Sequence, residues 1–240
     1  MIKTTLLALL SGLLMTVSGA TLTHNYDLSS SLSDTLGGPS LVADGGTQSA
    51  TGYSFAANQG LNLSSALSNS ADYSILMDFS FSTLSGYRKI LDFQDRVSDG
   101  GLYNLNTALD FFPVASGSGI FSADVLARVV LTRDSATNTV TGYVNGAQQI
   151  VFTDSGSTAV FSATNNIIRF FEDDFATGQR EASGGLATEI QIYNGALASG
   201  DVRLLGGPGE IPTSGVPEPA ALTLVGFGLL SLGLVRRLKA

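Results

Sequence analysis

Cysteine and tryptophan are absent from all 240 residues, histidine occurs once, and charged side chains make up only 13% of the chain. Each shortage removes a class of chemistry. Without cysteine there is no disulfide scaffold, no thiol nucleophile and no Cys-ligated zinc. His24 is the sole imidazole, four residues after a candidate cleavage site. A Ser-His-Asp triad would therefore hold its base at a mature terminus, where rigidity is hard to achieve, and a strand or edge residue is the plainer reading. Basic residues are also scarce. Lys3, Arg236, Arg237 and Lys239 belong to the terminal segments, as does Glu218, which leaves eight basic side chains against nineteen acidic ones. Such a surface repels phosphate, so nucleic acid is excluded as a partner. Gly206-Gly207-Pro208-Gly209 precedes no amphipathic helix and is no phosphate loop.

Long apolar runs occur only at the two ends. Met1-Ile2-Lys3 carries a positive charge, Leu6 to Val17 is a short apolar core, and Ser18-Gly19-Ala20 offers small residues for cleavage after Ala20. This reads as a secretory signal peptide over residues 1–20, the alternative being a retained anchor. At the other end, Val216-Pro217-Glu218-Pro219 precedes an apolar run from Ala220 to Val235, followed by Arg236, Arg237 and Lys239. The prolines stop any helix before the run, and the cations resist crossing a bilayer. Sixteen helical residues span roughly 24 Å, short of a ~30 Å hydrocarbon core, so length alone also allows a buried core helix. The arginine pair favours a short single transmembrane helix whose cationic stems snorkel, with the C-terminus cytoplasmic. The segment 216–240 resembles the PEP-CTERM sorting signal of bacterial envelope proteins. That resemblance implies recognition by exosortase in the cytoplasmic membrane of a Gram-negative-type bacterium, with Val216, Pro217, Glu218, Pro219, Arg236 and Arg237 as the motif. It implies export to the cell envelope or extracellular matrix, anchored by the C-terminal helix at least until sorting.

Between the ends, residues 21–205 read as one β-rich domain, with a Gly/Pro spacer over 206–215. Its clearest signal is Tyr73 to Phe81, where Tyr73, Ile75, Met77, Phe79 and Phe81 share one face and Ser74, Asp78 and Ser80 the other. Such a face needs a second sheet over it. Leu22–Leu28, Tyr53–Phe55, Leu61–Leu63, Lys89–Phe93, Leu102–Leu105, Leu109–Phe112, Ile167–Phe171 and Ala187–Tyr193 read as further strands, and the stretch up to Gly52 as loop. Arg128 to Phe152 predicts three consecutive antiparallel strands, the last two joined through Asn145-Gly146, a type I′ turn signal. Ser199 is placed to cap one helical turn carrying Val202, Leu204 and Leu205.

The passage RVVLTRDSATNTVTGYVNGAQQIVF is similar to the hairpin of laminin-G-like domains in the concanavalin A-like lectin/glucanase superfamily, and GGLATEIQIYNGALASGDV resembles that family's closing strand and short helix. Val125-Leu126-Ala127-Arg128 stands where members carry a Trp. The resemblance implies an all-β, two-sheet antiparallel jelly-roll sandwich. It also implies a rim calcium site, and the acids offered are Asp95 together with Glu172-Asp173-Asp174, with Asp92 and Asp99 in the same earlier loop; the alternative is solvated loop charge. Glycan binding is the family's common task. Tyr87, Tyr103, Tyr143 and Tyr193 are candidate platforms, or else strand packing. The glucanase signature Glu-x-Asp-x-x-Glu is met by none of Glu172, Glu181, Glu189, Glu210 and Glu218. The expectation is a non-catalytic surface or matrix protein that binds glycan or exopolysaccharide or mediates adhesion. A secreted glycan hydrolase and a purely structural coat protein are the alternatives.

Overall fold

The computed structural model describes residues 19–162 and 166–210. The signal peptide up to residue 18, the end of the spacer and the whole sorting segment 216–240 lie outside the described residues. Among the described residues no helix is long and apolar enough to cross a membrane. In chain order the elements are β1 (Thr21–Asp27), β2 (Val42–Asp44), β3 (Thr47–Ser49), β4 (Gly52–Phe55), β5 (Gly60–Leu63), β6 (Tyr73–Phe81), β7 (Tyr87–Asp92) and β8 (Gly101–Leu105). They continue as β9 (Ala108–Phe112), β10 (Ala115–Gly119), β11 (Ala127–Asp134), β12 (Thr139–Val144), β13 (Ala147–Thr153), β14 (Ile168–Phe170), β15 (Gly185–Asn194) and α1 (Ser199–Leu205).

Two antiparallel sheets face each other. The larger runs β13-β12-β11-β6-β15-β4-β3, with β1 also on β15, and the smaller runs β10-β9-β8-β7-β14-β5-β2. β15 is the spine of the larger sheet: one edge pairs with β6 along its whole length, while the other serves β4 at Gly185–Ala187 and then β1 at Glu189–Asn194. The alternation in β6 places Tyr73, Ile75, Met77, Phe79 and Phe81 in the core between the sheets. Burial of each contributes roughly 1.5–3 kcal/mol. Ile90, Leu102, Leu109, Phe111, Ile168 and Phe170 meet them from the smaller sheet.

The second face of β6 is covered too, because all nine of its residues are buried. Leu76 joins Val130, Tyr143 and Val202 in a second apolar cluster against which Tyr193, Leu197 and Leu205 pack. The short helix thus covers part of the outside of the larger sheet. Ala198, not Ser199, is its N-cap and makes no side-chain cap bond. The cap expectation fails because Val202 packing, rather than capping, fixes this seven-residue turn. Asn145 and Gly146 adopt φ of 50° and 76°, as a type I′ hairpin requires, and join β12 to β13.

The expected loop up to Gly52 contains two strands. β2 extends the edge of the smaller sheet beside β5, and β3 extends the larger beside β4. Gly45 and Gly46, with φ of 79° and 68°, let the chain cross from one sheet to the other. β2 and β3 are largely exposed, so main-chain pairing alone defines them and no apolar alternation marks them.

Candidate functional site

The four acids offered as calcium ligands do not converge on one point. β14 ends at Phe170, and Phe171 takes a φ of 66°, uncommon for an aromatic residue. Its ring stacks on Phe55 at 4.7 Å and lies 5.1 Å from Phe79, which holds the turn in place. The following residues are thereby sent to the outer side of the smaller sheet, where Glu172, Asp173 and Asp174 are fully buried. The solvated-loop reading is therefore corrected: burial is complete because each acid has its own protein partners. Glu172 Oε2 accepts from Nη1 of both Arg96 and Arg169, each at 3.2 Å. Asp95 takes the Arg169 Nε at 2.8 Å. Asp173 accepts from the Thr177 hydroxyl at 3.0 Å and the Glu181 amide at 2.8 Å.

Asp174 belongs to a separate cage. Lys89, fully buried, places its ammonium 2.8 Å from Asp174 Oδ2, 3.5 Å from Asp92 Oδ2, 3.3 Å from the Asp99 carbonyl and 4.3 Å from the Tyr103 ring centroid. This ammonium pairs with Asp174 from within the protein. The set Asp95, Glu172, Asp173 and Asp174 does not fit a shared calcium ion, and a different trio, Asp99, Asp174 and Glu181, brings its carboxylates within 4.8 Å of one another beside Lys89. Burial drives Glu172 up to about 7 against the pull of Arg169 and Arg96, and it also raises Asp173 and Asp92. Burial pushes Asp174 upward as well, but the Lys89 hydrogen bond and the Thr177 amide outweigh it and the net shift is down.

These anchored acids hold up one conspicuous side chain. Phe175 is 63% exposed, its amide donates to the Arg96 carbonyl at 3.0 Å, and the Arg96 guanidinium lies 4.4 Å from its ring centroid. Sequence reasoning weighed the tyrosines instead. Tyr103 and Tyr143 are buried and Tyr87 and Tyr193 half-buried, so packing accounts for them. His24 is also structural: Nδ1 lies 2.7 Å from Asp34 Oδ2 and Nε2 lies 3.0 Å from the Ala66 carbonyl, which ties β1 to two loops.

On the outside of the larger sheet lies a cleft of about 960 Å³. Its floor is a row of charged residues that strand register places side by side. Arg128 of β11 is opposite Asp78 of β6, Asp78 is opposite Glu189 of β15, and Glu189 is opposite Asp27 of β1. Arg128 grips Asp78 with Nε at 2.8 Å and Nη2 at 2.7 Å, reaches Glu189 Oε2 at 3.2 Å, and donates Nη1 to the Leu205 carbonyl at the end of α1 at 2.7 Å. Gln191 donates to Glu189 Oε1 at 2.7 Å and Tyr193 to Gln191 at 2.6 Å, extending the network along β15. Burial and then the Asp78 charge raise Glu189, whereas hydrogen bonds from Ser29 and Ser30 hold Asp27 low. Asp124, Val125 and Leu126 form one wall and Pro208-Gly209 another. Sequence reasoning missed this row because its members are scattered over Asp27, Asp78, Arg128 and Glu189. The available signal was a carboxylate on the second face of the longest alternating run.

No family profile matches the chain, and no curated protein resembles it in sequence. Solved structures do. Domain 4 of AbnA, an extracellular arabinanase from Geobacillus stearothermophilus, determined in complex with arabinotriose, aligns with a TM-score of 0.52 at 19% identity over 78% of this chain and 98% of that one. A sialidase from Trypanosoma rangeli aligns at 0.57, with 17% identity over 77% of this chain and 32% of the sialidase. The binding domain of botulinum neurotoxin serotype D aligns at 0.55, with 13% identity over 77% and 51%. The chain thus spans about half or less of the toxin and sialidase chains. At these identities the likeness establishes the fold alone, a two-sheet antiparallel β-sandwich.

Proposed function

We propose that this chain is an exported, non-catalytic glycan-binding sandwich of the jelly-roll type, acting at the cell envelope or in the extracellular matrix. The observation that carries the reading is the cleft floored by Arg128, Asp78, Glu189 and Asp27. Saccharide hydroxyls both donate and accept, and a carboxylate oxygen with one protein partner keeps a second lone pair for a ligand. The apolar wall at Val125, Leu126 and Pro208 suits the C–H faces of a sugar. The arabinanase domain, a fold neighbour, was determined with a trisaccharide bound, which supports a sugar as the class of ligand. Binding is favoured over turnover because Asp78, nearly buried and held by two Arg128 donors, is not free to act as a nucleophile beside Glu189.

The sorting reading rests on residues 216–240 alone: Pro217 and Pro219, the apolar run and Arg236-Arg237 direct the chain to exosortase and the cytoplasmic membrane. Deleting residues 216–240 in the native host is expected to move the protein from envelope to medium while leaving the sandwich folded. A glycan array beside a reducing-sugar assay tests the function. Binding without release of reducing ends is expected; turnover abolished by Asp78→Asn would establish a hydrolase instead.

A further inference from the structure

The charge of the cleft bears on which sugar fits. Four carboxylates line it, from Asp27, Asp78, Asp124 and Glu189, and Arg128 is the sole cation among the described lining residues. That cation is already committed: Nε and Nη2 hold Asp78, Nη2 also meets Glu189, and Nη1 caps α1 at Leu205. An anionic sugar could reach the guanidinium only by displacing Asp78, whose side chain is nearly buried beneath it. A cation meets the opposite situation. Asp124 stands exposed at the rim and Asp27 is exposed at the end of the row, while Glu189 stays partly open between them. Spaced carboxylates along an open cleft with an apolar wall match a chain of sugar rings bearing a positive group at intervals.

Resting on the reading of this cleft as the saccharide site, we propose that it selects amino sugars carrying a protonated amine over N-acetylated and uronic sugars. The amines lie along Asp124, Glu189 and Asp27, and the ring C–H faces lie on Val125 and Leu126. The preference is electrostatic and partly exposed, so salt weakens it. Arg128 serves to hold the row in register and makes no ligand contact of its own.

Isothermal titration of the full chain in detergent tests this at pH 6.5, with glucosamine tetramer, N-acetylglucosamine tetramer, tetragalacturonate and a tetra-arginine peptide, at low and at high salt. The glucosamine tetramer is expected to bind at least tenfold more tightly than its acetylated counterpart at low salt, and to lose most of that margin at high salt. Tetragalacturonate is expected not to bind. Asp124→Asn, a change at an exposed rim position, is expected to reduce the margin about threefold. Equal binding of the two tetramers, or tighter binding of tetragalacturonate, would overturn the selectivity while leaving a saccharide site in place. Binding of the peptide as tight as that of the amino sugar would make the cleft a basic-peptide site. Absence of binding by every sugar would remove the saccharide reading itself.

Discussion

The outer faces of the two sheets carry the same kinds of side chain and treat them in opposite ways. On the smaller sheet, loops close over Lys89, Arg96, Asp92, Glu172, Asp173 and Asp174, and all six are buried. On the larger sheet, Arg128 and Asp78 are buried at the cleft floor, while Glu189 and Asp27 stay open along it. The sealed layer holds cations enough to tie each loop down, yet Asp92 Oδ2, Glu172 Oε1 and Asp173 Oδ1 are buried without a hydrogen bond. Its ion pairs were desolvated to form, so it is sensitive to the loss of any partner. In the open row one arginine serves two carboxylates, and the remaining acidity faces solvent. Acidic residues become structure where the protein supplies their cations and stay turned to solvent where it does not.

The largest effect expected from breaking this contrast is in the sealed layer. Lys89→Met removes the ammonium caged by Asp92, Asp174 and Tyr103 and should cost about 4 kcal/mol of stability, read by chemical denaturation. In the intact protein, millimolar calcium should leave the melting temperature unchanged, because Asp95, Glu172, Asp173 and Asp174 already have partners within the protein.

Next comes pH. Glu172 is raised in the folded state from 4.5 to about 7, so between these values the native form keeps a proton that the unfolded chain has lost. Its contribution is fully present below pH 4.5 and disappears as pH rises through 7, amounting to about 3 kcal/mol at 1.36 kcal/mol per unit. Denaturation at pH 5 and pH 8 should show the fall, and Glu172→Gln should flatten it.

A smaller loss is expected from the open row. Asp78→Asn breaks the paired grip on Arg128 and should cost about 2 kcal/mol while abolishing saccharide binding. Smallest is Phe175→Ala. The ring is mostly solvated, so stability should change by less than about 0.5 kcal/mol, and cleft binding should not change at all.

The same contrast explains what the sequence made legible. β6 and β11 to β13 could be read because an apolar face alternates with period two and Asn145-Gly146 marks a turn. β2, β3 and β10 could not, since exposed or small side chains at a sheet edge carry no periodic signal. Glu172-Asp173-Asp174 stood out as a cluster, but its burial depended on Arg96 and Arg169, 76 and 3 residues away from Glu172. Lys89 and Asp92 were within one legible strand, three residues apart, and their pairing was the nearest local clue to a caged cation. The open row needed the register of four strands, which no local pattern specifies.

The central claim is that ligand meets the open row and not the sealed layer. Backbone amide chemical shifts of the full chain, followed while a glucosamine tetramer is added, test it most directly. The account predicts perturbations at Asp27, Asp124, Val125 and Glu189 with residues 172–181 unmoved; perturbations confined to 172–181 would contradict it.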